Sequence, residues 1–546
     1  MRQLTALDAQ FLNVETATTA AHVAGLAILD SADGAVNREA LTELLLDRLH
    51  LSPALSLRLA EVPLGLDRPY WVPDPDFDLG NHLFELTLPA PGHDWQLAEA
   101  VARLHARRLD RAHPLWEMHL INGLPGGRVA IYTKVHHAAI DGVSGAETLA
   151  ALLDLTPDGH LTRRRLRTTD QAAREQPAQS SNGDLAGRGR RSGCVPGGGP
   201  ADRSEATGQD ADASDGERLT PGADHKTPGV IGMLAGAAVR TATHPVQAVQ
   251  SVVRVAGDLD AIPLAASLPG AKLIARAARM VARDRPDRPE LPKLSVPRTP
   301  FNGPISARRH LSFGSVPLKD VKNVAKANGM SVNDVVMTLC TSALRSWLSE
   351  RDALPEEPLI VAVPVAVRTA GAKDVVGNQI SAMVAPMPTN VSDPRERLEA
   401  VGATMGRAKR RFALAPATWL SELCSVLPAP VSGLATPAIF RLAGLAFPPI
   451  NLIVSNVPGP QFPLYLCGGR VLSYYPLSVL TDMSGGLNIT CFSYDGMLDF
   501  GIVACPERVD DVWGLLAHLR TALEELLDEC VGDEFRDGVG VDLVAG

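Results

Sequence analysis

Residues 128–150 read RVAIYTKVHHAAIDGVSGAETLA. Val129, Ile131, Thr133 and Val135 alternate with their neighbours, the period of a β-strand with one buried face. The run leads straight into His136-His137, followed by Asp141-Gly142. Ser144 and Glu147 then stand at the spacing of a capping box. A strand, a turn and a helix running through Leu149, Leu152 and Leu153 are expected, a layered arrangement of helices against sheet.

Neighbouring side chains on a strand point to opposite faces. His137 therefore shares a face with Val135 and Thr133, while His136 points the other way. The pair cannot easily clamp one metal ion, and no metal site is expected. One imidazole can stand alone at the strand end. With an ordinary pKa near ~6.5 it can take a proton and return it at neutral pH. Asp141 could orient an imidazole or pair with a buried arginine.

Composition narrows the field. A chain of 546 residues with 45% hydrophobic and 21% charged residues is ordinary for a globular protein with sizeable cores. Its net charge of -9 provides no basic field for nucleic acid. The seven cysteines are scattered and form no C-x-x-C pair, so they read as reduced core residues of a cytoplasmic protein. The N-terminus MRQLTALDAQFLNVET lacks the apolar core of a secretory signal. No stretch supplies ~20 uninterrupted apolar residues. The nearest, 434–457, contains Arg441 and Pro448-Pro449 and reads as buried helix, turn and strand.

Along the chain, residues 1–160 form a first folded unit of alternating strands and helices. HVAGLAILD is a strand, 37–49 an amphipathic helix capped by Asn37, HLFELTLPAPG a strand and 94–109 a helix. Residues 161–227 are rich in Arg, Gly, Ser, Asp, Gln and Pro. Almost nothing there can be buried, so they read as a disordered polar insertion. Residues 228–298 are a helical crossover, in which Lys272, Arg276, Arg279 and Arg283 share one helical stripe. That stripe suits either a solvated edge or an anionic lipid surface. Residues 299–546 form the second unit. It carries a helix ending in NGM, Ser331-Val-Asn333-Asp334 before a helix from Val335, and a strand LIVAVPVAVR. Gly377-Asn378 mark a turn before the next strand. A hairpin follows at Tyr494-Asp495-Gly496-Met497, and the last feature is an amphipathic helix.

The motif His136-His137-x-x-x-Asp141-Gly142 resembles the active-site motif of the CoA-dependent acyltransferase superfamily. Further motifs occur in order: LDAQFL, PLW before HHAAIDG, TPFNGPIS, SVNDVV, PVAVR, GNQIS and SNVPGP. Together they are similar to the bacterial wax ester synthase/diacylglycerol acyltransferase branch. This resemblance spans nearly the whole chain outside 161–227. It implies a mixed α/β fold of two chloramphenicol-acetyltransferase-like subdomains with a channel at their interface. It makes His137 the base, His136 its motif partner and Asp141 a structural anchor, with Gly142 permitting the tight turn. Pro114-Leu115-Trp116 would shape the channel wall. Asn333, Asp334, Gly377 and Asn378 would lie at element ends near substrate.

The implied reaction moves a long acyl group from acyl-CoA to diacylglycerol, or to a long-chain alcohol. His137 would remove the hydroxyl proton, with no acyl-enzyme and no cofactor beyond acyl-CoA as substrate. The amide of Asn378 and the backbone near Gly142 are the candidate donors to the oxyanion. No G-x-S-x-G elbow is present, which disfavours a serine hydrolase. Three rival readings are a condensation enzyme using carrier-protein thioesters, a non-enzymatic protein coating lipid droplets or a membrane surface, and a metal-dependent hydrolase ligated by His136, His137 and Asp141.

Overall fold

A computed structural model of the chain describes residues 2–31, 34–140, 151–159, 295–366, 380–414, 424, 429–446 and 449–530. The polar stretch 161–227 and the helix expected at 272–283 lie outside the described residues, as do Asp141, Gly142, Gly377 and Asn378.

The strands in chain order are β1 (Arg2–Gln3), β2 (His22–Asp30), β3 (Leu57–Ala60), β4 (Tyr70–Pro73), β5 (Leu83–Thr87), β6 (Trp116–Asn122), β7 (Val129–His136) and β8 (His310–Pro317). They continue as β9 (Leu359–Ala366), β10 (Ile380–Met387), β11 (Leu452–Val457), β12 (Tyr465–Leu466), β13 (Gly469–Leu477), β14 (Leu487–Tyr494) and β15 (Met497–Ala504). The helices used below are α1 (Ala6–Asn13), α2 (Arg38–Arg48), α3 (Asp94–His105), α4 (Leu318–Ala327), α5 (Val332–Ser349), α6 (Pro394–Leu414), α7 (Ala429–Ala446) and α8 (Val512–Cys530).

Two six-stranded mixed sheets dominate. The first has the order β12-β13-β2-β7-β6-β5 and the second β10-β9-β11-β14-β15-β8. Parallel pairing occurs at β5–β6, β11–β14 and β11–β9, and the remaining pairs are antiparallel. Alternation along β2 and β7 builds the first core. Leu26, Ile28, Ala130 and Tyr132 pack with Leu97 and Val101 of α3. Leu29, Val129, Ile131 and Val135 pack on the other side with Leu41, Leu44 and Leu45 of α2. The second sheet is covered by α4, α5 and α8, whose Val321, Val336, Leu344 and Leu519 share its core.

β12 and β13 belong in sequence to the second half, yet they extend the sheet that carries the histidines. β13 pairs with β2 from Arg470↔Asp30 to Leu477↔Ala24. The two sheets approach each other at this graft. A Cβ on Gly501 of β15 would stand 1.9 Å from the carbonyl oxygen of Pro476 on β13. Neither backbone can yield without breaking its ladder. Gly501→Ala is therefore expected to cost about 1–3 kcal/mol, the usual cost of overpacking. A lower urea midpoint at unchanged slope would report it, and an unshifted midpoint would contradict it.

Two expectations need correction. The apolar stretch beginning at 434 is not a buried helix. It forms the C-terminal part of α7, where Leu434 is 83% and Leu442 63% exposed. The residues that α7 turns inward are Ser432 and Thr436, bonded to Gln10 and Asn13 of α1. Hydropathy reports what is apolar and is silent about which side meets the protein. The helix expected from Val335 begins instead at Val332. Ser331 is its N-cap, and Asp334 completes the capping box.

Candidate functional site

β7 delivers the two histidines to different environments, as the alternation of the strand requires. His136 is the last strand residue and is 1% exposed. Its ring Nδ1 accepts the backbone N–H of Ala138 at 3.0 Å, which leaves the proton on Nε2. Nε2 faces Glu15 Oε1 at 3.4 Å. The N–H of His137 donates to Ala21 O at 2.9 Å and that of Ala139 to His136 O at 2.9 Å, so the chain turns immediately after the strand. The His137 ring then lies on the other side, half-buried, stacked face to face on Phe11 of α1. The centroids are 4.0 Å apart and the planes 1° from parallel.

Glu15 is the hub behind the pair. Its Oε1 also accepts the Ala21 N–H at 3.0 Å, and its Oε2 accepts Arg111 at 2.9 Å. Arg111 reaches on to the carbonyl of Leu12 at 2.6 Å. Burial alone would raise the Glu15 pKa. The hydrogen bonds from His136, the Ala21 N–H and Arg111 outweigh it and hold the carboxyl down at about 2. Glu15 is thus an anion that ties the end of α1, the start of β2, the end of β7 and the segment before β6 together.

A buried polar seam continues along the His136 face of β7. Lys134 Nζ donates to Leu104 O at 3.2 Å and Arg107 O at 3.0 Å, and pairs with Glu117 at 3.1 Å. Tyr132 meets His105 Nδ1 at 2.9 Å. His22 sits opposite His136 in the ladder, edge-on to His105. Burial pushes the His105 pKa down to about 3. Burial, with the positive charge of Lys134 nearby, holds His22 well below the usual imidazole value. Both rings are therefore neutral at neutral pH, and the seam is scaffold. The His137 ring stands apart from this seam, on the other side of the strand end.

The residues expected beside the histidines fall into three groups. Pro114, Leu115 and Trp116 are buried next to β7, with the Leu115 carbonyl accepting the His136 N–H at 2.9 Å. Trp116 donates its indole N–H to Leu55 O at 2.9 Å and stacks on His82 at 4.5 Å, a core role. Asn333 and Asp334 are engaged within the second half. Asn333 Oδ1 accepts from Asn456 of the SNVPGP motif at 3.2 Å. Asp334 accepts the Ser331 N–H at 3.1 Å and pairs with Lys409 at 3.5 Å. Asp141, Gly142, Gly377 and Asn378 are outside the described residues. Sequence reasoning passed over Phe11 and Glu15. The signal for Phe11 was its place in LDAQFL. Glu15 offered only a lone carboxylate after an apolar helix.

Comparison with known proteins decides the family. The family model of the wax ester synthase/diacylglycerol acyltransferase catalytic domain matches residues 4–336, and that of the WS/DGAT C-terminal domain matches 376–527. The chain belongs to the wax ester synthase/diacylglycerol acyltransferase family. It is an acyltransferase. A relative from Mycobacterium tuberculosis (strain CDC 1551 / Oshkosh), provisionally named a diacylglycerol O-acyltransferase, is 33% identical over 540 residues. The match covers 98% of this chain and 91% of that one. A similarly named protein of Mycobacterium bovis (strain ATCC BAA-935 / AF2122/97) is 31% identical over 528 residues, 96% of this chain and 98% of its own. The fold is that of the solved wax ester synthase/diacylglycerol acyltransferase from Marinobacter aquaeolei VT8. That chain matches with a TM-score of 0.61 and 24% identity, over 97% of this chain and 100% of that one.

Proposed function

We propose that this acyltransferase moves a long acyl group from acyl-CoA to the free hydroxyl of diacylglycerol, making triacylglycerol, with long-chain alcohols as alternative acceptors. The observation that carries the histidine assignment is the division of labour at residues 136 and 137. His136 is enclosed and committed to Glu15 and the Ala138 N–H, whereas His137 is half-buried and held by a ring stack.

His137 takes the hydroxyl proton as the alcohol oxygen attacks the thioester carbonyl. A C–O bond forms, the negative charge moves to the carbonyl oxygen, and donors near Gly142 or the Asn378 amide stabilise it. Collapse breaks the C–S bond, and the imidazolium returns its proton to the departing thiolate. Atoms and charge balance with acyl-CoA and the alcohol alone, so neither an acyl-enzyme nor a cofactor enters. The Phe11 ring lies parallel to the imidazole and favours the transient cation through its π face.

Release of CoA from oleoyl-CoA, followed with dioleoylglycerol and with hexadecanol as acceptors, tests the reading. Acceptor-dependent release with matching ester formation supports it. Transfer that requires a carrier-protein thioester in place of CoA would replace it.

A further inference from the structure

α7 is built inside out. Along its length Val431, Leu434, Ala438 and Leu442 recur at spacings of three and four on one stripe, and all four are exposed. Ile439, on the flank of that stripe, is exposed as well. The polar Ser432 and Thr436 face α1. From 427 to 450 the sequence contains no Asp or Glu, and Arg441 is its single charge, in a chain whose net charge is -9.

A second element adds to the same surface. The turn at Pro63–Gly65 packs beside α7 and presents Leu64 at 90% exposure, with Leu66 also exposed. Leu64 has φ +60°, the left-handed region that a leucine seldom adopts. A leucine held in an unfavourable backbone conformation and pointed at solvent gains nothing within the protein. Two elements far apart in sequence thus set exposed leucines beside each other, α7 carrying no carboxylate and the Leu64 turn lying between Glu61 and Asp67.

We infer that α7 and the Leu64 turn form a lipid-docking surface that lies in the interface of a phospholipid membrane. No described helix is long and apolar enough to cross a bilayer, and the exposed stripe suits a helix lying flat. The absence of carboxylates from α7 and its single cation, Arg441, suit a neutral or anionic headgroup layer. The route to the site is short. α7 packs on α1 through Gln10 and Asn13, and Phe11 of the same helix stacks on His137. A bilayer on this face would hold dissolved acceptor one helix away from the base. The choice of a membrane as occupant rests on the diacylglycerol reading. The exposed face does not.

Flotation of the full chain with phosphatidylcholine vesicles containing a minor fraction of phosphatidylglycerol and dioleoylglycerol tests this, comparing wild type with Leu64→Ser/Leu434→Ser/Leu442→Ser. All three positions are exposed, so equal melting temperatures are expected and serve as the folding control. Leu434→Ser alone provides a milder second variant with an intermediate loss. Wild type should float, and the triple variant should lose at least about tenfold in vesicle partition. Turnover of vesicle-borne dioleoylglycerol should fall with it, while turnover of a short, monomeric alcohol stays unchanged. Equal flotation of both proteins, or none by either, would overturn the proposal. So would a wild-type dimer that the substitutions convert to monomer, since a second copy would then own the face. Lost flotation with no turnover of any acceptor by either protein would leave the docking surface standing and sink the enzymatic reading instead.

Discussion

Replacing His137 with alanine is expected to lower kcat/KM for acyl transfer by about 10²–10⁴-fold, the range supplied by a positioned general base. The ring is half-buried, stacks on Phe11 and takes no part in the β2–β7 ladder or the Glu15 hub, so removing it leaves both in place. Circular dichroism and the melting temperature should stay close to wild type. The loss should appear in kcat more than in KM, because the imidazole acts on the proton in flight and does little for ground-state binding. Phe11→Ala should produce a smaller loss of the same kind, since it frees the ring without removing it. Undiminished turnover by the His137→Ala protein would end the general-base reading.

Glu15→Ala should have the second-largest effect, and it should be expressed as stability as well as rate. The side chain is 2% exposed and holds Arg111, His136 and the Ala21 N–H at once. Removing one partner from a buried charged network leaves the others uncompensated, at a cost of about 3–5 kcal/mol. The pH dependence has a definite sign. The Glu15 carboxyl is held at about 2, below its ordinary 4.5, so its contribution is complete above 4.5 and disappears as pH falls toward 2. Wild type should lose stability through that window, and the variant should show a flatter profile there. Glu15→Gln keeps an acceptor for Ala21 without the charge and should fall between the two. A variant that melts with wild type at pH 7 would show that the hub is dispensable.

The opposite placement of the two histidines was legible because it is local. The period-two pattern of 129–135 predicts opposite faces for His136 and His137, and burial of one with partial exposure of the other follows that alternation. Asn37 caps α2 by accepting the Ala40 N–H. The Asp495-Gly496 hairpin forms with φ of +41° and +84°, as two left-handed turn positions require. What stayed hidden depends on distant partners. Nothing in GRVLSYYPL announces that β13 will pair with β2, more than 400 residues earlier in the chain. Glu15 has no periodicity to mark it and gains its role only when β7 and the Arg111 segment arrive. α7 misled for the opposite reason. Its apolar letters were read correctly and its orientation was not, because Ser432 and Thr436 found partners on α1.

The most direct measurement is the initial rate of CoA release from oleoyl-CoA as dioleoylglycerol is titrated, run side by side for wild type, His136→Gln and His137→Gln. Release should depend on acceptor, nearly vanish with His137→Gln, and persist in part with His136→Gln, whose ring is enclosed against Glu15 and the Ala138 N–H. Release that ignores the acceptor, or a His137→Gln protein that turns over while His136→Gln is dead, would contradict the assignment of the base.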